Sequence, residues 1–224
     1  MIQHRALGWR KGYWKPRRRE PVAVVWHTTG AGILRKYRRL RRRLGWASPF
    51  ECALHQFTRN QKAGPHFVVG QRGEVEQIAP LDVVAWHVGR RKGWQYGVPG
   101  AGRWWGDPRF QWWRDRWDPL VSPTQLAGGK LWRAGRCNEN TIGVEVVPPT
   151  EDPTGPWSRE AWEAIADLAR SLPVKIDPYH QISHSDAHPI ARTTRSGAPW
   201  DPSPRAWDPW VHCARARRES AILE

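Results

Sequence analysis

The chain has 224 residues, with 36 Lys plus Arg against 21 Asp plus Glu and a formal charge of +15. That length holds one domain with a sizeable core and leaves little room for two, and the charge points to a polyanionic partner: nucleic acid, anionic lipid or an acidic wall polymer. Three widely spaced cysteines, Cys52, Cys137 and Cys213, argue against a disulfide framework, and no run of about 18 apolar residues marks a membrane span.

Residues 1–20 are basic and lack the apolar core of a signal peptide, so a poorly ordered basic arm is expected there, followed by a single domain over 21–224. PVAVVWHTTG (21–30) is a short β-branched run closed by Thr-Thr-Gly, which predicts a buried strand with His27 at its C-terminal end. In 31–46, Ile33, Leu34, Tyr37, Leu40 and Leu44 recur at helical spacing opposite a face of arginine and lysine. Ser48 before Pro49 predicts an N-cap for a second helix, SPFECALHQFTRN. HFVVGQRGEVEQIAP (66–80) predicts a hairpin turning at Gln71, Arg72 and Gly73, with a further extended piece at VVAWHVG (83–89).

From about 90 to 130 the pattern gives way to Gly, Pro, Trp and Arg, consistent with an insertion that is functional or flexible. TIGVEVVPP (141–149) predicts another buried strand. Ser158 caps a helix with Trp162, Ile165, Leu168 and Leu172 on its apolar stripe, and QIS (181–183) predicts a strand before His184. Strands alternating with helices, without a repeat, predict an α/β (α+β) fold: a mixed central sheet flanked by helices. Many of the seventeen tryptophans sit in polar, Gly- and Pro-rich context, as in GRWWGD and APWDPSPRAWDPW, where indoles suit stacking on a flat ligand or simple loop packing.

A lone histidine is weak evidence, and His4, His55, His66, His87, His180, His188 and His212 each have an ordinary packing explanation. His27 and His184 at neighbouring strand ends, with Glu145 on a third strand, are more specific. Zinc catalysis needs about three protein ligands, commonly two imidazoles and a carboxylate or thiolate, with a position left for water.

Five blocks in order, VVWHTTG, HFVVGQRGEVEQIAP, AWHVG, RCNENTIGVEV (136–146) and HSDAHP, resemble the zinc-dependent N-acetylmuramoyl-L-alanine amidases, the family shared with peptidoglycan recognition proteins and amidase-type phage lysozymes. The resemblance spans roughly residues 21–89 and 131–210. It implies zinc in a surface groove, His27 and His184 as ligands, and Glu145 as general base. The family's third ligand is an aspartate or cysteine about ten or fewer residues past the second histidine, but here Arg192 and Thr194 occupy that region. Asp186, His188, Asp201, Asp208 and Cys213 remain as candidates. Asp201, followed by Pro202, Ser203, Pro204 and Trp207, matches the family's Asp-Pro-Gly-Pro-aromatic ending displaced by an insertion at TTRSGAPW, which costs little closure entropy.

The lysine many members carry two residues before the aspartate is replaced by Pro199, which leaves Arg192 or Arg195 to supply positive charge for an oxyanion. His66, Trp86, His87 and Asn138 are expected along the substrate groove. The expected partner is bacterial peptidoglycan, with the basic stretch 35–43 available for anionic membrane or wall polymers. No nucleic-acid motif accompanies RKYRRLRRR, so no specific nucleic-acid target is expected, and a monomer is. Without an export signal the enzyme is expected in the host cytoplasm on synthesis, acting on the wall after release as phage endolysins do. The alternatives are a non-catalytic peptidoglycan-binding protein and a nucleic-acid binder.

Overall fold

The computed structural model describes residues 3–4, 15–30, 48–59, 64–88, 107–112, 115, 137–148, 154–187 and 192–221. The helix expected over 31–46, its basic stretch 35–43, most of the 90–130 insertion and His188 lie outside the described residues.

Six strands form one mixed sheet: β1 (Gln3–His4), β3 (Ala23–Thr28), β4 (Phe67–Val69), β5 (Val75–Gln77), β7 (Thr141–Val146) and β8 (Gln181–Ser183), in the spatial order β1-β5-β4-β7-β3-β8. The β4–β5 pair is antiparallel and the others are parallel; β2 (Lys15–Pro16) and β6 (Val83–Val84) make a separate antiparallel pair. β3 and β7 are central, which explains why both read as unbroken apolar runs: a strand covered on both faces has no solvent side to alternate with.

Side chains of β3 alternate between two cores. Val24 and Trp26 join Ile142, Val144, Val146, Phe67 and Val69 on one face. That face is covered by helix α3 (Arg159–Ser171), through Ala161, Ile165 and Leu168, and by Trp207 at the start of helix α5 (Pro209–Ser220). Trp26 donates its indole N–H to Gln181 Oε1 at 2.9 Å and stacks on Trp207 with ring centroids 5.2 Å apart. Ala23 and Val25 point the other way and pack with Val88, Ile182, Ala187 and with Cys137 at the start of the short helix α2 (Cys137–Asn140), and helix α1 (Pro49–Arg59) covers Val68 and Ile78 with Ala53 and Leu54.

The caps form as the sequence predicts. Ser48 Oγ accepts from Glu51 N at 3.2 Å while Glu51 Oε2 accepts from Ser48 N at 3.1 Å, a reciprocal capping box, and Ser158 Oγ accepts from Ala161 N at 3.1 Å. Gln71, at the tip of the β4–β5 turn, accepts from Ser158 N at 2.7 Å and donates to Val147 O at 2.6 Å, tying the hairpin to α3 and β7. Gly73 has φ +80°, a conformation that favours glycine in that turn.

Of the N-terminal segment, residues 3–4 and 15–20 are described. Gln3–His4 and Lys15–Pro16 pair as strands, and Arg17 reaches into the body of the domain, donating to Leu81 O (2.8 Å), Glu139 O (2.7 Å) and Thr141 O (3.0 Å). Its guanidinium satisfies three carbonyls at the ends of different segments, a structural duty that composition alone does not separate from the surrounding solvated charges. Burial lowers the Arg17 pKa to about 10, which leaves it charged at neutral pH.

Candidate active site

His27 is the fifth residue of β3, paired in register with Glu145 of the adjacent β7. Neighbours in parallel strands face the same side, so the two side chains project from one sheet face at the C-terminal end of the strands, where ligands of such sheets commonly bind. His184 opens the short helix α4 (His184–Ala187) directly after β8, the strand on the other side of β3.

Asp201 arrives by a different route. Residues 192–200 fold back on themselves: Thr194 N donates to Ala198 O at 2.8 Å, Gly197 N to Thr194 O at 3.1 Å and Trp200 N to Arg192 O at 3.1 Å, with Thr193 and Pro199 bridged antiparallel. The displaced stretch is therefore a closed turn whose base returns the chain to where it left. Gly197 supplies the positive φ of this turn, +88°. Ser185 completes the closure. Its N–H donates to Asp201 O (2.8 Å), and its Oγ accepts from Asp201 N (2.9 Å).

The result is a compact group of His27, His184 and Asp201, all buried, whose ligand atoms lie within 4.8 Å of one another. His184 Nδ1 lies 2.8 Å from His27 Nδ1 and 2.9 Å from Asp201 Oδ2, while Asp201 Oδ1 accepts from Thr28 N at 2.8 Å. Burial, followed by His184, holds His27 well below the ordinary imidazole pKa, so the neutral, ligating form prevails. Burial pushes the Asp201 carboxyl up, opposed by His27, Arg192 and the Thr28 N–H. Two imidazoles and a carboxylate converging on one enclosed point fit a divalent metal ion, and the nitrogen and oxygen set suits zinc.

Of the other candidates for the third position, Asp186 accepts from Ser183 N and Oγ at 2.9 and 2.7 Å and so braces the turn into α4. Asp208 is exposed before α5, where its carbonyl accepts from His212 N, and Cys213 is buried within that helix.

Glu145 is partly exposed beside this group. Desolvation and then the Asp201 carboxylate push its pKa up to about 8, with the Thr29 side chain and the Arg192 guanidinium opposing. Arg192 Nε stands 3.2 Å from both Asp201 Oδ2 and His184 Nδ1, and its guanidinium lies 4.8 Å from the centroid of the Trp200 ring. The two arginines separate here: Arg195 is exposed in the turn tip and makes none of these contacts.

The residues expected in the substrate groove also divide. Trp86 is partly exposed. His66 is fully buried, with Nδ1 accepting from Gly143 N at 3.0 Å, which leaves Nε2–H to donate to Val83 O at 3.1 Å. Asn138 is buried as well: Oδ1 accepts from His87 N (3.0 Å) and Val88 N (2.8 Å), and Nδ2 donates to Val88 O (2.8 Å). Both engage their polar atoms within the fold, and His66 Nε2 also lies 3.1 Å from the Arg17 guanidinium, so each supports the sheet edge. His87 places Nδ1 2.9 Å from His27 Nε2. Sequence reasoning missed Ser185, Thr28 and Trp200, the residues that anchor Asp201 and Arg192; the adjacency of Trp200 to Asp201 is the one signal that pointed there.

A family model described as N-acetylmuramoyl-L-alanine amidase matches residues 17–204. No curated protein matches the chain by sequence. Among solved structures, a selenomethionine derivative of AmpD is similar in fold, with TM-score 0.51, 16% identity, and coverage of 96% of this chain and 93% of that one. The Ph2119 endolysin of a Thermus scotoductus bacteriophage gives TM-score 0.46 at 15% identity, covering 96% and 98%. The endolysin amidase LysCS of Clostridium intestinale gives 0.45 at 11%, covering 99% and 95%. With the family model spanning most of its length, including all three residues of the buried cluster, the chain belongs to the N-acetylmuramoyl-L-alanine amidase family of peptidoglycan hydrolases.

Proposed function

We propose that the chain cleaves the amide joining the lactyl group of N-acetylmuramic acid to L-alanine, using a zinc ion held by His27, His184 and Asp201. The observation that carries this reading is the closed turn 192–200, which returns Asp201 to the two histidines although seventeen residues separate it from His184. A wall-binding protein without catalysis needs no third ligand, and the Asp201 carboxylate beside the two histidines supports the enzyme instead.

When bound, zinc supplies Lewis acidity to a substrate carbonyl oxygen and to a water molecule. Glu145 then handles the proton. Raised to about 8, the carboxyl is largely protonated at neutral pH without a metal, a form suited to giving a proton to the leaving amine nitrogen. A cation held by Asp201 would offset the negative neighbour that raises Glu145 and would favour its basic form, which takes the proton from water. Arg192 keeps its charge and faces the same group, which suits it to stabilising the developing oxyanion as a fixed cation, with Trp200 restricting where the guanidinium points. Partly exposed Trp86 offers ring surface to sugar or peptide.

The formal charge of +15 favours adsorption on anionic wall polymers, and lysis of the bacterial wall in the manner of an endolysin is the role that fits. Digestion of purified peptidoglycan followed by mass spectrometry tests the bond: free stem peptides with intact glycan support the amidase, and cleaved glycan or cross-links refute it. Metal analysis of wild type beside Asp201→Ala tests the site, with about one zinc per chain expected to be lost on substitution.

A further inference from the structure

The His87 ring lies against β7 at the one position where the strand has no side chain. A Cβ built on Gly143 would come within 2.3 Å of His87 Cγ. From there the ring bridges two groups: Nδ1 is 2.9 Å from His27 Nε2, and Nε2 is 3.0 Å from Thr141 Oγ1. Asn138 grips the backbone on either side of the ring's attachment, accepting from both His87 N and Val88 N.

Counting protons gives this chain a direction. Thr141 has a single hydroxyl proton, and it is donated to the Cys137 carbonyl at 2.7 Å. Toward His87 the hydroxyl oxygen is therefore an acceptor, which places the proton of a neutral His87 ring on Nε2. Nδ1 of His87 is then a lone pair and accepts from Nε2–H of His27. A neutral His27 with its proton on Nε2 has its free lone pair on Nδ1, the atom that lies 2.8 Å from His184 Nδ1 in the ligand cluster. The opposite polarity would turn the Thr141 proton away from the Cys137 carbonyl and leave two acceptor oxygens facing each other at 2.7 Å.

We propose that His87, anchored by Thr141 and accommodated by Gly143, is a positioning residue that fixes the tautomer and orientation of His27, with Nδ1 as the metal-ligating atom, rather than a substrate contact. The inference rests on the zinc reading above. Hydrogen bonds to the outer nitrogen of a ligating histidine commonly set its tautomer, and their loss weakens metal binding by about 10–100-fold.

Two measurements test it. Zinc affinity is read by chelator competition for wild type, His87→Leu and His87→Asn; asparagine restores an acceptor oxygen near the position of Nδ1, and leucine does not. The leucine variant is expected to bind zinc about 10–100-fold more weakly and the asparagine variant within a few-fold of wild type. Nitrogen-15 NMR of metal-free wild type reads the His27 tautomer directly, with the proton expected on Nε2. Wild-type affinity in His87→Leu, no rescue by asparagine, or a His27 proton on Nδ1 overturns the proposal. If wild type binds no zinc, the metal reading itself fails, and the NMR spectrum still decides the tautomer; it also decides if the leucine variant does not fold.

Discussion

His212 lies fully buried between α3, α5 and the sheet, with its ring centroid 4.5 Å from Trp207, 5.4 Å from Trp26 and 5.7 Å from Trp162. Neither ring nitrogen has a hydrogen-bond partner among the described residues. Burial, with a smaller contribution from Arg215, lowers its pKa from 6.5 to about 3. The unfolded chain therefore takes up a proton as pH falls below 6.5, whereas the folded protein does not until about 3, so stability is lost across that window as pH falls. Each pH unit costs about 1.4 kcal/mol, which amounts to about 2 kcal/mol between pH 7 and pH 5 and to roughly 4–5 kcal/mol over the whole window. His212→Leu removes this contribution while filling similar volume. Urea unfolding followed by far-UV circular dichroism near pH 7 and near pH 5 should show wild type losing about 2 kcal/mol more than the variant over that interval. His66, lowered to about 3 by burial, then Arg17, adds the same slope to both proteins and cancels in the difference. Equal losses in the two proteins would show that the His212 ring is solvated or bonded in the fold, and would refute the reasoning.

Gly143→Ala should displace the His87 ring, since the new methyl cannot share its space, and the overpacking should cost about 1–3 kcal/mol in denaturant unfolding with a fall in zinc affinity. Arg192→Ala is expected to lower turnover of peptidoglycan by about 100-fold or more, as loss of an oxyanion-stabilising group does, whereas Arg195→Ala leaves it within about two-fold; equal effects would mean the turn tip reaches substrate. Arg17→Ala should destabilise the fold by roughly 2–4 kcal/mol, because three carbonyls lose a charged donor; a change under about half a kcal/mol would place Arg17 in solvent instead. Glu145→Gln should abolish amide cleavage while zinc content is unchanged, and loss of zinc in that variant would make Glu145 a ligand rather than a base.

Sequence periodicity was sufficient where local rules govern. The apolar runs at β3 and β7, the capping serines Ser48 and Ser158 and the turn glycine Gly73 all encode their structure within a few residues, because burial on both faces, a cap or a positive φ is a local demand. His27 and His184 were legible for the same reason: each sits where a readable strand ends. Which strands lie side by side is a long-range outcome, and it is the tertiary structure that sets β3 between β7 and β8 and so brings His27, Glu145 and His184 to one edge.

The remaining assignments were decided by hydrogen-bond satisfaction between segments far apart in the chain. His66, Asn138 and Arg17 look like site or tail residues by type, and the fold brings each of them backbone partners, with His66 and Arg17 also in contact. Asp201 could be named from its Asp-Pro neighbours but placed only by the turn that closes under Ser185. Sequence determined the chemistry available at each strand end, since residue type and local pattern carry it. Tertiary structure decided which of those groups meet, because their partners lie far along the chain: 60 residues separate His27 from His87, and 173 separate Asp201 from Thr28.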